Sequence, residues 1–365
     1  MAATGLRGDR ARDITSAIGR TPLVELRSLS HGTGRRVWAK CEQLNPGGSV
    51  KDRVALSVVL EAEARGRLRP GDTVVEGTGG NTGVGLSLVC AARGYRCHLV
   101  MPESIAREKI DAMQLYGASV QLVPAVPFSN TEHYAHISQR LGQQPGWFCT
   151  NQFETDANWR AHFGGTGPEI AAALPAVDGF VCSCGTGGTL SGVSQFLKQR
   201  GRTSVWLVDP EGSGLFEAVA STRAEAVGGL DNASNAYRVD EMPGTTFLRR
   251  SEGSSITEGI GIDRVTANFR RCVLDGALLA TDDEVVRMAY WLLRNDGVFV
   301  GPSAALNVVG AVKLARTLPE GSNVVTILCD TGANYRSKLF SRPWLEAKGL
   351  LAAADDRPDS LAFIA

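Results

Sequence analysis

The stretch Thr73-Val74-Val75-Glu76-Gly77-Thr78-Gly79-Gly80-Asn81-Thr82-Gly83 passes from a β-rich run into a glycine loop. The residues that follow, Thr82 to Arg93, carry apolar side chains at helical spacing. Tyr95 to Met101 is β-rich again and is closed by Pro102. A strand, a glycine turn, a helix and a second strand in that order make a βαβ unit, whose two strands run parallel. The pattern continues outward. Arg107 to Tyr116 is helical and stops at Gly117, and Ser119 to Val123 is a strand. Gly179 to Ser183 leads into another glycine loop, Leu190 to Arg200 is helical, and Ser204 to Val208 and Val324 to Cys329 are short β-rich runs. Strands alternating with helices of this length predict an α/β protein whose mostly parallel sheets are covered on both faces. The two series part near residues 148–158, which predicts two three-layer α/β domains with a cleft between them. Ser221 to Ser255 is expected as a long loop near the cleft.

Composition narrows the class. The chain has 365 residues, 43% of them apolar, ample for a large core. Lys plus Arg and Asp plus Glu number 38 each, so charge gives no reason to invoke nucleic acid or an anionic membrane. The polar N-terminus has no apolar segment of a targeting peptide, and no run reaches the roughly 18 apolar residues of a membrane span. A cytoplasmic protein is the expectation. The 8 cysteines are scattered, and Cys90, Cys97, Cys182 and Cys329 fall in apolar runs, as buried thiols do. Cys182-Ser183-Cys184 has no second Cys/His pair at ligand spacing, so no metal is expected.

Three segments carry chemistry. In Asn45-Pro46-Gly47-Gly48-Ser49-Val50-Lys51-Asp52-Arg53 a turn precedes a helix, with Ser49 as N-cap and Lys51 in the first turn. The positive end of a helix repels an ammonium, and with partial burial that favours the neutral amine that imine chemistry needs. Thr78 to Gly83, between strand and helix, presents N–H groups and hydroxyls suited to a carboxylate. Gly185-Thr186-Gly187-Gly188-Thr189, at a helix start with no P-loop lysine, suits a phosphate monoester that stays bound. An activated lysine, a carboxylate loop and a phosphate cup on one α/β scaffold together suggest pyridoxal 5′-phosphate (PLP).

Those segments also resemble a known family. Ile18-Gly19-Arg20-Thr21-Pro22 resembles its opening motif, and Ala39-Lys40 through Arg53 its PLP-lysine motif. Val100-Met101-Pro102-Glu103, Asn151-Gln152-Phe153, Thr166-Gly167-Pro168-Glu169, Gly259-Ile260-Gly261 and Gly301-Pro302-Ser303-Ala304 match in order. The family is the cysteine synthases and cystathionine β-synthase cores, of PLP fold type II, the tryptophan synthase β-like fold. The resemblance implies that Lys51 holds the cofactor as an imine and acts as the catalytic base. It implies that Asn81 meets the 3′-oxygen, Ser303 the ring nitrogen, and Gly185, Thr186, Gly187, Gly188 and Thr189 the phosphate. Thr78, Gly79, Asn81, Thr82, Gln152 and Gly259 are expected around the substrate. The implied domains are a smaller, mobile one carrying the substrate loop (45–155), and a larger one for cofactor phosphate and dimerisation (13–44 and 156–345). A tail (346–365) either stays disordered or docks through Leu361, Phe363 and Ile364.

The implied reaction is β-replacement on a serine-derived amino acid through an aminoacrylate, giving L-cysteine from O-acetylserine and sulfide. Cystathionine formation, another β-replacement with a non-sulfide nucleophile, and a non-catalytic paralogue that binds a partner enzyme are the alternatives. A homodimer and a serine acetyltransferase-type partner are also implied. Two positions depart from the pattern. Gly79 stands where the family carries Ser, and Glu258 where an uncharged residue is expected. A carboxylate at 258 near the site would disfavour an anionic nucleophile and favour an amine or a larger partner; the other reading is a solvated or internally paired loop residue.

Overall fold

The computed structural model describes residues 13–220, 237–238 and 245–365. Most of the expected Ser221–Ser255 loop, residues 221–236 and 239–244, lies outside the described residues. The strands are β1 (Leu23–Glu25), β2 (Arg36–Lys40), β3 (Thr73–Gly77), β4 (Arg96–Pro102), β5 (Ser119–Val123), β6 (Trp147–Cys149), β7 (Gly179–Cys182), β8 (Ser204–Pro210), β9 (Tyr237–Arg238), β10 (Phe247–Leu248), β11 (Gly276–Ala280) and β12 (Asn323–Ile327). A six-stranded sheet runs β1-β2-β12-β7-β8-β11, and a four-stranded sheet runs β5-β4-β3-β6. Every pairing in both is parallel except β1 with β2. The antiparallel pair β9 and β10 stands apart. The two mostly parallel, helix-covered sheets are those of the expected α/β class.

Four sheet strands were not legible in the sequence. β1 and β6 have three residues each, too few to show alternation. β2 is bounded by Arg36 and Lys40. β11 reads Gly-Ala-Leu-Leu-Ala, a helix-prone composition, and becomes a strand because it pairs with β8 over five residues. Pairing and burial override so weak a local preference.

Helix Pro302–Thr317 is buried nearly all round, with Ser303, Ala304, Ala305, Ala311 and Ala315 among its buried residues. Small side chains let it sit close to the large sheet. A Cβ at Gly310 would come within 2.7 Å of Val208 Cβ. Pro302 at its first position lacks the N–H that would go unpaired there. The chain end is docked rather than disordered. Leu361 and Ile364 are 3% exposed, and Arg316 donates to the carbonyls of both, at 2.8 and 2.6 Å.

Candidate active site

The start of helix Lys51–Ala64 is held by a buried ion cluster. Arg53 Nε and NH2 donate to Glu42 at 2.6 and 2.8 Å, and NH1 and NH2 each donate to Glu169 at 2.7 Å. Lys40 Nζ donates to Glu169 Oε2 at 2.6 Å. Burial would raise the Glu169 carboxyl, but hydrogen bonds from Arg53 and Lys40 bring it down to about 2. Two residues after Lys51, the helix is thus tied through Glu169 to Lys40 of β2 and to helix Gly167–Ala173. Replacing Arg53 with Met strands Glu42 and is expected to cost about 3–5 kcal/mol. Urea unfolding measures this, and a loss under about 1 kcal/mol would show the cluster to be dispensable.

The N-cap position falls on Val50, one residue after the expected Ser49, and Ser49 Oγ still accepts from Lys51 N at 3.2 Å. Lys51 opens onto a cavity of about 530 Å³, large enough for a cofactor and a small amino acid. The side chain makes no ion pair or hydrogen bond with the described residues. The cavity wall comes from residues that follow the carboxyl ends of β3, β7 and β12, where ligands of parallel sheets bind. All the residues expected at the site reach it except Gly188, which sits just behind: Lys51, Thr78 to Thr82, Gln152, Gly185 to Gly187, Thr189, Gly259 and Ser303 line one space.

On the β3 side, Thr82 Oγ1 donates to Gln152 Oε1 at 2.6 Å. Gln152 Nε2 donates to Glu76 Oε1 and to the Gly77 carbonyl, both at 3.2 Å. Gln152 therefore also braces the loop. Burial pushes the Glu76 carboxyl up to about 7. Gly79 is not sterically required, because a Cβ there meets only Ile105 Cδ1 at 3.9 Å. Asn81 Nδ2 donates to Asp330 Oδ2 at 2.6 Å, and its buried Oδ1 has no partner.

On the β7 side, Gly185 to Thr189 wraps the start of helix Gly188–Arg200. Thr186 Oγ1 accepts from Asn158 Nδ2 at 2.9 Å, and its carbonyl accepts from Thr266 Oγ1 at 2.8 Å. Thr189 Oγ1 lies 3.2 Å from His162 Nε2. Gly187 has φ +91°, and a Cβ there would lie 2.5 Å from Phe269 N. The Gly259 carbonyl sits where a Cβ of Gly185 would go, 2.1 Å away, and Asn158 Oδ1 occupies the same place at Gly188, 1.9 Å away. The backbone thus turns inward with no side chain in front of its N–H groups. Burial pushes the Cys182 thiol well up and Cys329 up to about 12, although Lys51 works against both. These are protonated wall residues, and no metal-binding cluster occurs among the described residues.

Several wall residues were missed by sequence reasoning. Lys109, in helix Arg107–Leu115, is 2% exposed. Its Nζ donates to Glu258 Oε2 at 2.7 Å and to Tyr335 OH at 3.2 Å, and lies 4.4 Å from that ring's centre. Lys338 Nζ donates to Glu258 Oε1. Tyr335 OH donates to Asp330 Oδ2 at 2.6 Å. Of the two readings of Glu258, the internally paired one is what the fold shows, and the expected penalty on an anionic nucleophile does not follow. Burial alone would raise the Glu258 carboxyl, but the two ammoniums hold it below the usual range. A signal existed, because Lys109 falls beside Ile110 and four residues before Met113, on the buried stripe of its helix.

An unpartnered lysine, an orphaned amide oxygen and a glycine cradle at a helix start fit a phosphate-bearing aldehyde cofactor, and they define a PLP enzyme of fold type II. Residues 14–330 match the pyridoxal-phosphate dependent enzyme family, and the chain belongs to it. It is 46% identical to cysteine synthase 1 of Neurospora crassa, over 94% of this chain and 87% of that one. Among solved structures it resembles O-ureido-L-serine synthase, with a TM-score of 0.78 and 33% identity, covering 91% of this chain and 96% of that one. It also resembles an O-acetylserine dependent cystathionine β-synthase from Helicobacter pylori, with a TM-score of 0.75 and 30% identity, covering 90% and 98%.

Proposed function

We propose that the chain makes L-cysteine from O-acetylserine and sulfide. The observation that carries this is the joining of Lys51, the Thr78–Thr82 loop, the Gly185–Thr189 cradle and Ser303 in one cavity of a chain this close to a cysteine synthase. PLP, when bound, supplies an electron sink for the substrate's α-carbon and so permits departure of the β-substituent. Lys51 tethers the cofactor, takes the α-proton and later returns it. The Gly185–Thr189 N–H groups and hydroxyls hold the phosphate at the positive end of helix Gly188–Arg200. Asn81 and Ser303 orient the ring. Ser303 presents a neutral hydroxyl, which unlike a carboxylate does not hold the ring nitrogen protonated. Thr78, Thr82 and Gln152 take the substrate carboxylate beside Gly79 and Gly259. The unit 45–155 closes over the substrate and excludes water. Holoenzyme given O-acetylserine and sulfide should release acetate and cysteine. Cystathionine from serine and homocysteine, with no cysteine formed, would overturn the reading.

The same reading includes a cytoplasmic homodimer with an acetyltransferase-type partner. Light scattering at micromolar concentration should give twice the 38.8 kDa chain mass. A single chain mass would exclude the dimer.

A further inference from the structure

The charge of the cavity does not follow that of the chain. Cationic and acidic side chains balance at 38 each. Among the described residues lining the cavity, however, there are four lysines (Lys51, Lys109, Lys338 and Lys348) and one acid, Glu258. Setting aside Lys51, the other three are graded from inside to outside. The Lys109 side chain is 2% exposed and that of Lys338 is 23% exposed. Lys348 is on the surface, its ammonium 5.7 Å from the ring of Trp344, which also lines the cavity.

Glu258 does not cancel this field. Each of its two oxygens takes one ammonium, Oε2 from Lys109 and Oε1 from Lys338. Two ammoniums around one carboxylate leave a positive pair: Asp330 lies behind the Tyr335 hydroxyl from Lys109, and burial pushes its carboxyl up, toward the neutral form. Lys348 adds positive charge at the rim, where it also acts on Asp282, whose carboxyl burial likewise pushes up. Glu258 also explains how Lys109 can be buried: its ammonium is paired and its hydrogen bonds are taken by Glu258 and Tyr335. A cleft lined by one sign of charge raises the encounter rate of the opposite ion by about 10- to 1,000-fold, an effect that weakens with salt.

We propose that Lys109, Lys338 and Lys348 form the entry path of an anionic second substrate, hydrosulfide in the reaction proposed above, with Glu258 holding the first two lysines together. The inference rests on reading this cavity as a β-replacement site. It makes these residues determinants of which nucleophile is accepted, outside the set that holds cofactor and first substrate.

The test uses holoenzyme mixed first with O-acetylserine, then with hydrosulfide or with uncharged pyrazole, at increasing sodium chloride. The double variant Lys338→Met, Lys348→Met should lower the hydrosulfide-to-pyrazole rate ratio about tenfold at low salt and flatten the salt dependence of the hydrosulfide step. Equal loss with both nucleophiles, or an unchanged salt dependence, overturns the proposal. A second readout does not depend on turnover. Bromide soaked into crystals of the holoenzyme should give anomalous density between Lys338 and Lys348 that the double variant lacks. Its absence from the unaltered protein counts against the path. If O-acetylserine releases no acetate at all, the reaction assignment falls, and the bromide result still decides the anion path.

Discussion

Lys51→Ala will lower turnover by about 10²–10⁴-fold, and borohydride reduction of the unaltered holoenzyme will fix the cofactor to the peptide containing Lys51. The lysine sits in the first turn of its helix, where Ser49 Oγ accepts from Lys51 N and the Arg53 cluster fixes the helix start. Its amino group has no carboxylate partner among the described residues, so no ion pair competes with a carbonyl for it. Alanine removes both the tether and the group that moves the α-proton. Lys51→Arg should not restore activity, because a guanidinium does not give up its proton. A small primary amine added to Lys51→Ala should recover part of the rate. Reductive labelling of another lysine, or full turnover by the alanine variant, would remove Lys51 from the role.

The second large effect is on cofactor retention. Gly187→Val should weaken PLP binding by about 100-fold or more. The residue has φ +91°, a conformation side-chain-bearing residues rarely adopt, and its Cβ would lie 2.5 Å from the Phe269 nitrogen. The left-handed backbone costs about 1–2 kcal/mol and the overpacking about 1–3 kcal/mol. The loop relieves both by moving, which spreads the N–H groups that hold the phosphate, and about 1.4 kcal/mol is tenfold in affinity. Cofactor fluorescence during dialysis against a PLP scavenger reports retention. Thermal melting of the apo forms separates loss of the cradle from loss of the fold. Unchanged PLP affinity would show that the phosphate is held elsewhere.

Glu258 shows how a residue type can mislead when its neighbours are distant in sequence. Read along the chain, a carboxylate beside Gly259 is a negative charge near the substrate. In the fold, Lys109 arrives from a helix 149 residues earlier and Lys338 from 80 residues later, and the local charge changes sign. Gly79 behaves otherwise. Its missing hydroxyl leaves space rather than a new contact, and the open surroundings seen in the fold agree with the local reading.

Local chemistry determined the parallel α/β class, because strand, glycine turn and helix follow one another within short stretches such as Thr73 to Met101. It also singled out Lys51, the Thr78–Thr82 loop and the Gly185–Thr189 turn as candidates, because each is a continuous segment whose chemistry depends on residues next to one another, and the fold brings them to one cavity. Only the tertiary structure decided what depends on distant pairing. β11 is a strand because β8 lies beside it, and Arg53 is buried because Glu42 and Glu169 meet it there. Gly185 must lack a side chain because the Gly259 carbonyl fills that space. The sign of the charge at the cavity wall was decided in the same way. Charge and packing act through space over a few ångströms, and the fold alone brings helix Arg107–Leu115, Glu258 and Lys338 within that range.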